Sequence, residues 1–190
     1  MFKKVNEYID NEIIKNKGVQ YFDAIVYQGH ECIYRHTVNG KPNTKLKMYS
    51  CSKPITVVAL MQLVEQGKVN LQDLASKYLV GAKKAFYIEN EKKIDASNLI
   101  TIELLLSMSA GLSYNLNREC VKSLDNEKAT TVDVINTILE NDPLEYKPGS
   151  QCLYSLCLDA IAAIIEVVSG MKFSEFLKKN IFEPLGMKDT

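Results

Sequence analysis

Residues 54 to 66, PITVVALMQLVEQ, would be apolar on nearly every face of a helix. This stretch constrains the fold more than any other part of the chain. A helix of that kind is expected to be buried against other elements. The material for enclosure is present: 190 residues, 46% of them hydrophobic and 24% charged, suffice for one domain with a proper core. The same helix begins with two polar groups one turn apart, Ser50 and Lys53, in the run MYSCSKPITVV. Pro54 fits a helix start, where a first-turn proline loses no intrahelical hydrogen bond.

The periodicity of the remaining segments supplies an inventory. Val5, Ile9 and Ile13 recur every four residues and predict an amphipathic helix over residues 1 to 16 that packs on a sheet. YFDAIVYQ and ECIYRHTV, separated by Gly29 and His30, predict a β-hairpin closing at Asn39 and Gly40. From Pro54 onward the pattern reads as helical throughout. The helix of 54 to 66 stops at Gly67, Asn70 can cap a short LQDLASKYL helix, and Thr101 with Glu103 opens TIELLLSMSAG. Thr130 and Asp133 have capping-box spacing before VINTILEN, and a Pro/Gly loop, NDPLEYKPGS, leads to LDAIAAIIEVVSG and SEFLKKNIF. The expected class is α+β: a helix, a hairpin and then a large helical lobe. Two strands form a marginal sheet whose edge needs a partner, from later in the chain or from another chain.

Charge and composition narrow the function. A formal net charge of zero with no long basic run gives no electrostatic reason to expect nucleic acid or an anionic membrane as partner. The first residues have no uninterrupted apolar stretch, so they do not read as a secretory signal, and the expected location is cytoplasmic. Cys32, Cys51, Cys120, Cys152 and Cys157 lack zinc-type spacing and are odd in number, which suits reduced thiols, read mostly as small core residues.

Ser50 and Lys53 have two readings. At i and i+3 the amine can reach the hydroxyl, and the helix N-terminus offers N–H groups that stabilise charge developing on a bound carbonyl. Apolar surroundings would lower the lysine toward its free-base form. The other reading is an N-cap serine beside a snorkelling lysine, and the local sequence leaves both open. A second Ser-x-x-Lys, Ser169 to Lys172, straddles Gly170 and reads as a helix C-cap. With His30 and His36 confined to the hairpin region and no GxSxG elbow, a Ser-His-Asp triad is disfavoured. Cys51 points about 100° away around the helix and has no histidine nearby in sequence. No phosphate loop or metal-ligand cluster appears.

Taken together, Ser50-Cys-Ser-Lys53-Pro-Ile-Thr with LMQLVEQGKVNLQD, TIELLLSMSAGLSY, and PGSQCLYSLCLDAIAAIIEVVSGMKFSEFLKKNIFEPLGMKDT resemble the serine β-lactamase and penicillin-binding-protein superfamily. The similarity is to the branch of class C β-lactamases, D-alanyl-D-alanine carboxypeptidases and β-lactamase-fold carboxylesterases. It implies a β-lactamase/transpeptidase-like fold in which an antiparallel sheet packs with a helical lobe. It further implies Ser50 as acylated nucleophile, Lys53 as its proton acceptor and Tyr154 as the second-motif tyrosine, with no metal or organic cofactor. Without the resemblance, Tyr154 would read as a tyrosine filling a loop.

Two departures shape what the resemblance implies. Tyr154-Ser-Leu156 stands where Tyr-x-Asn is common. A leucine cannot donate the amide hydrogen bond that holds a lactam, which moves the expected substrate toward an ester or another small-molecule or peptide acyl compound. No third motif, Lys-Thr-Gly or His-x-Gly, precedes Thr190. The expectation is an incomplete domain over 1 to 190, the N-terminal portion of a longer hydrolase, with a helix and hairpin over 1 to 47 and the helical lobe over 48 to 190. The alternative is a catalytically silent module that pairs, as a homodimer for instance, through its open sheet edge.

Overall fold

The computed structural model describes residues 2–42, 44–115, 118–124 and 128–190, which fall into two compact units, Met1–Met48 and Tyr49–Thr190. In the first unit the predicted N-terminal helix forms, α-helical over Lys3–Tyr8 (α1) and continuing in wider π-helical turns over Ile9–Asn16. Of its three spaced apolar residues only Ile9 is buried. Polar contacts help to dock it on the hairpin. The Tyr34 hydroxyl donates to Asn6 Oδ1 at 2.7 Å, and His36 Nε2 lies 2.9 Å from Asp10 Oδ1.

The hairpin itself, β1 (Phe22–Gln28) and β2 (Glu31–Val38), is antiparallel from Phe22 opposite Val38 to Gln28 opposite Glu31, with a bulge between Val26 and Tyr27. Gly29, at φ +61°, supplies the left-handed residue that a two-residue turn needs. Asp23 locks one end, accepting from Arg35 Nη2 at 2.6 Å and from Thr37 Oγ1 at 2.8 Å. Among the described residues β1 and β2 pair only with each other.

The second unit is built around two apolar helices. Helix α2 (Lys53–Glu65) buries Ala59, Leu60 and Leu63, but Val58 is half exposed, so one face of this apolar helix is left uncovered. It packs on α6 (Cys157–Ser169), whose Ile161, Ile164 and Ile165 are wholly enclosed. Around α6 lie α3 (Ile102–Leu106), α5 (Thr131–Asn141) and α7 (Phe173–Leu177), the last continued by π-helical turns over Lys178–Phe182. A short α4 (Glu119–Lys122) sits against α5. The caps read from sequence are present. The Thr130 side chain accepts from Asp133 N while Asp133 accepts from Thr130 N, Thr101 accepts from Leu104 N, and Gly170 ends α6 in the left-handed region at φ +68°.

Three expectations fail, each because distant backbone groups outcompete local pattern. The region after Pro54 is not helical throughout: Phe86–Glu89 (β3) and Lys92–Asp95 (β4) form a second antiparallel hairpin. Its turn residues Asn90 and Glu91 both take positive φ, 48° and 61°, and Phe86 O accepts from Leu144 N at 2.8 Å. The predicted helix after Asn70 is reduced to a 3-10 turn over Ala75–Lys77. Its backbone is recruited elsewhere: Ala75 N donates to Ile100 O at 2.8 Å, and Ile102 N and Glu103 N donate to Asp73 O and Leu71 O. The helix expected to run to Gly111 ends at Leu106, because residues 108 to 113 hydrogen-bond with residues 145 to 156 instead. The cysteines also differ from expectation. Only Cys157 is buried, Cys120 is partly covered, and Cys32, Cys51 and Cys152 are exposed thiols.

Candidate active site

Ser50 does not sit on α2 but on the 3-10 turn Tyr49–Ser52 that feeds it. Tyr49 enters that turn at φ +45°, and the Ser52 hydroxyl donates back to Tyr49 O at 2.6 Å. Residues three apart eclipse one another in 3-10 geometry, so Lys53 stands over Ser50 and its Nζ donates to Ser50 Oγ at 3.3 Å. The other Ser-x-x-Lys has no such arrangement: Ser169 is the last residue of α6 and Gly170 its C-cap.

Tyr154 reaches the same point from 104 residues away, its hydroxyl hydrogen-bonded to Ser50 Oγ. Its backbone is pinned on both sides. Leu153 N donates to Met108 O at 3.1 Å, and Leu156 N donates to Ser113 O at 3.2 Å. Ser155 is wholly buried, its hydroxyl on Cys157 Sγ at 3.1 Å. The backbone is thus anchored on both sides of Tyr154, whose side chain is about half exposed, as is that of Leu153. Leu156 turns into the core and serves as N-cap position of α6. The structure therefore brings Ser50, Lys53 and Tyr154 into one hydrogen-bonded group, open to solvent.

The charges of the group run opposite to one expectation. Lys53 is held above its ordinary value, first by its hydrogen bond with Tyr154, and this outweighs the opposing effect of burial. Apolar surroundings therefore do not push this amine toward free base. Tyr154 moves the other way, below the ordinary tyrosine value, first through Lys53 and then through Ser50.

Two further residues that the sequence did not single out belong to this neighbourhood. The Tyr114 ring centroid lies 5.2 Å from that of Tyr154 and 6.0 Å from Lys53 Nζ. Asp159, in the first turn of α6, feels the Lys53 charge, yet the protein mass around it raises its carboxyl above the ordinary range. The only sequence signal was position: Tyr114 directly follows the GLS turn, and Asp159 lies five residues after Tyr154. Among the described residues no cluster of His, Cys, Asp and Glu could hold a metal ion, and no helix is long and apolar enough to cross a membrane. A surface cavity of about 730 Å³, lined by Thr130, Glu166, Lys172 and others, contains none of the site residues.

Comparisons with known proteins agree with this architecture. A Salmonella typhimurium protein provisionally named a D-alanyl-D-alanine carboxypeptidase is 32% identical over 187 residues, which is 95% of this chain and 41% of the relative. The chain thus spans about two fifths of the length of that curated relative. Among solved structures, the octameric penicillin-binding protein homologue from Pyrococcus abyssi superposes with a TM-score of 0.74 at 24% identity, over 99% of this chain and 44% of that one. EstCE1, a hydrolase with promiscuous acyltransferase activity, superposes with a TM-score of 0.72 at 23% identity, over 96% of this chain and 51% of its own. The family model described as Beta-lactamase matches residues 15–190, and the chain belongs to the beta-lactamase family.

Proposed function

We propose that this chain carries the nucleophilic centre of a serine hydrolase that works through an acyl-enzyme on Ser50. One observation carries the reading: Ser50 Oγ is hydrogen-bonded at once by Lys53 Nζ and by the Tyr154 hydroxyl. Tyr154, drawn toward phenolate by the Lys53 ammonium, takes the Ser50 proton as the Oγ–carbonyl carbon bond forms. The tetrahedral oxyanion collapses, and the proton on Tyr154 passes to the departing alcohol or amine. Water then attacks the acyl-serine and gives a proton to Tyr154, and as the second tetrahedral intermediate collapses that proton passes to Ser50 Oγ, releasing the acid and the free serine. Lys53 serves as the fixed cation that keeps Tyr154 acidic, rather than as the base itself. No metal or organic cofactor enters these steps.

The substrate class follows from Leu156. Where an amide side chain would face a lactam, this chain buries a leucine in its core, which favours a neutral ester or small acyl compound over a lactam. The relatives named carboxypeptidase and hydrolase are consistent with either an ester or a peptide bond. The test is intact mass after incubation with a reactive p-nitrophenyl ester, beside Ser50→Ala. A stable acyl increment that is lost in the variant is the expected result; equal labelling of both would remove Ser50 from the mechanism.

A second reading, a silent module that associates through the hairpin, is favoured by the exposure of Ile25, Val26 and Tyr27 on β1. Sedimentation over a range of concentrations checks it, since pairing through an open edge predicts a dimer that grows with concentration in the absence of any Ser50 adduct.

A further inference from the structure

Tyr114 has no part in the acyl-transfer steps above, yet it is built into the site with unusual care. Gly111 turns the chain at φ +88° so close to Tyr146 O that a Cβ there would lie 2.6 Å from it. Leu112 and Ser113 then follow as buried residues. Ser113 O accepts from Leu156 N at 3.2 Å, while Ser113 Oγ accepts from Asn115 N at 3.1 Å and from Arg118. Tyr114 is thus fixed fore and aft, and its neighbour Ser113 is tied to the residue two places after Tyr154. Its ring nevertheless stays half exposed and lies at 57° to the Tyr154 ring. Lys53 Nζ lies to one side of the pair and within reach of both rings, 4.9 Å from the Tyr154 centroid and 6.0 Å from the Tyr114 centroid.

We propose that Tyr114 is a positioning residue of this site, forming with Tyr154 an aromatic corner that keeps the Lys53 ammonium beside the Tyr154 hydroxyl. The faces of aromatic rings attract a cation, and two faces restrict a flexible four-carbon chain far better than one. Without the second ring the ammonium is free to swing into water. The groups facing it are Ser50 from its own turn, Tyr154 and Tyr114 from the two pinned loops, and Asp159 from α6. Asp159 opposes Lys53 in its effect on Tyr154 but is the smaller influence of the two. The inference rests on the site proposed above but concerns the placing of Lys53, which can be read without any turnover.

The experiment is an NMR titration of the chain with isotopically labelled tyrosine ring carbons, in which the Tyr154 signal is assigned by its loss in Tyr154→Phe. In the unaltered chain Tyr154 should ionise below the ordinary tyrosine range. In Tyr114→Ala the phenolate population at fixed pH should fall about three- to tenfold, and Tyr114→Phe, which keeps the ring face, should recover most of it. If Tyr114→Ala does not fold, Tyr114→Leu keeps the bulk without the π face and should show the same loss. A Tyr154 midpoint that stays put in a folded Tyr114→Ala or Tyr114→Leu overturns the proposal. Ester labelling of Ser50 in the same samples keeps the two readings apart. A shifted midpoint without an adduct in the unaltered chain counts against the hydrolase and for the positioning role of Tyr114; an adduct with an unmoved midpoint does the reverse.

Discussion

A tyrosine with an ordinary pKa near 10 is a poor base at neutral pH, and a lysine near 10.4 is no better. The Tyr154–Lys53 pair moves the phenol down and the amine up, which suits the phenol rather than the amine to the part of base. The sign has a consequence for pH dependence. Acylation should rise with pH along a limb set by Tyr154, below the ordinary tyrosine range, and stay supported until Lys53 loses its proton above its ordinary value. Lys53→Met removes the cation, so the limb should move up in pH and the rate at neutral pH should fall. Tyr154→Phe removes the acceptor and should cost about a hundred- to ten-thousandfold at every pH. Stopped-flow labelling with a p-nitrophenyl ester across pH separates the two variants, because only the first shifts the midpoint.

Elements in this chain form where local signals and distant contacts agree. Helix α5 is the clearest case: its Thr130 and Asp133 cap each other reciprocally, Thr130 N donating to Asp133 Oδ2 at 2.9 Å and Asp133 N to Thr130 Oγ1 at 3.2 Å. Thr130→Ala should therefore destabilise the helical unit by about 1 kcal/mol, read as a lower urea midpoint with unchanged slope. The stretch after Asn70 is the contrary case. Its polar start looks like a cap, but Asp73 accepts from Asn70 N and from Lys77 Nζ at 2.9 Å each and from Tyr78, which holds that carboxyl down at about 2. Those bonds close a turn, and residues 100 to 103 take the backbone groups a helix would have needed. The β3–β4 hairpin escaped notice for a related reason. Asn90-Glu91 carries no glycine, so the turn lacks the usual mark of positive φ.

At the scale of the whole molecule, the helical unit is organised on α6, which α2, α3, α5 and α7 all touch. Ile161 lies at its centre with no exposed surface. Ile161→Ala should cost about 2 to 5 kcal/mol, seen as an early loss of helical signal in urea, since the cavity left behind is walled by helices that cannot all close on it. The site depends on the same framework, because the segment entering α6 aims Tyr154 and the loop before α4 aims Tyr114.

The sequence by itself determined the helices of strong period, their caps and the first hairpin, and it offered the pairing of Ser50 with Lys53 as one of two readings. These rest on interactions between residues a few places apart, which the order of letters records directly. The family resemblance, carried by three segments in the right order, also named Tyr154 and the fold. Only the tertiary structure decided that Lys53 is driven toward its charged form, that Tyr114 and Asp159 attend it, and that Leu156 faces the core. Each of those turns on groups brought together across tens of residues, where the governing quantity is distance through space. A pKa or a hydrogen bond responds to that distance, and no local pattern encodes it.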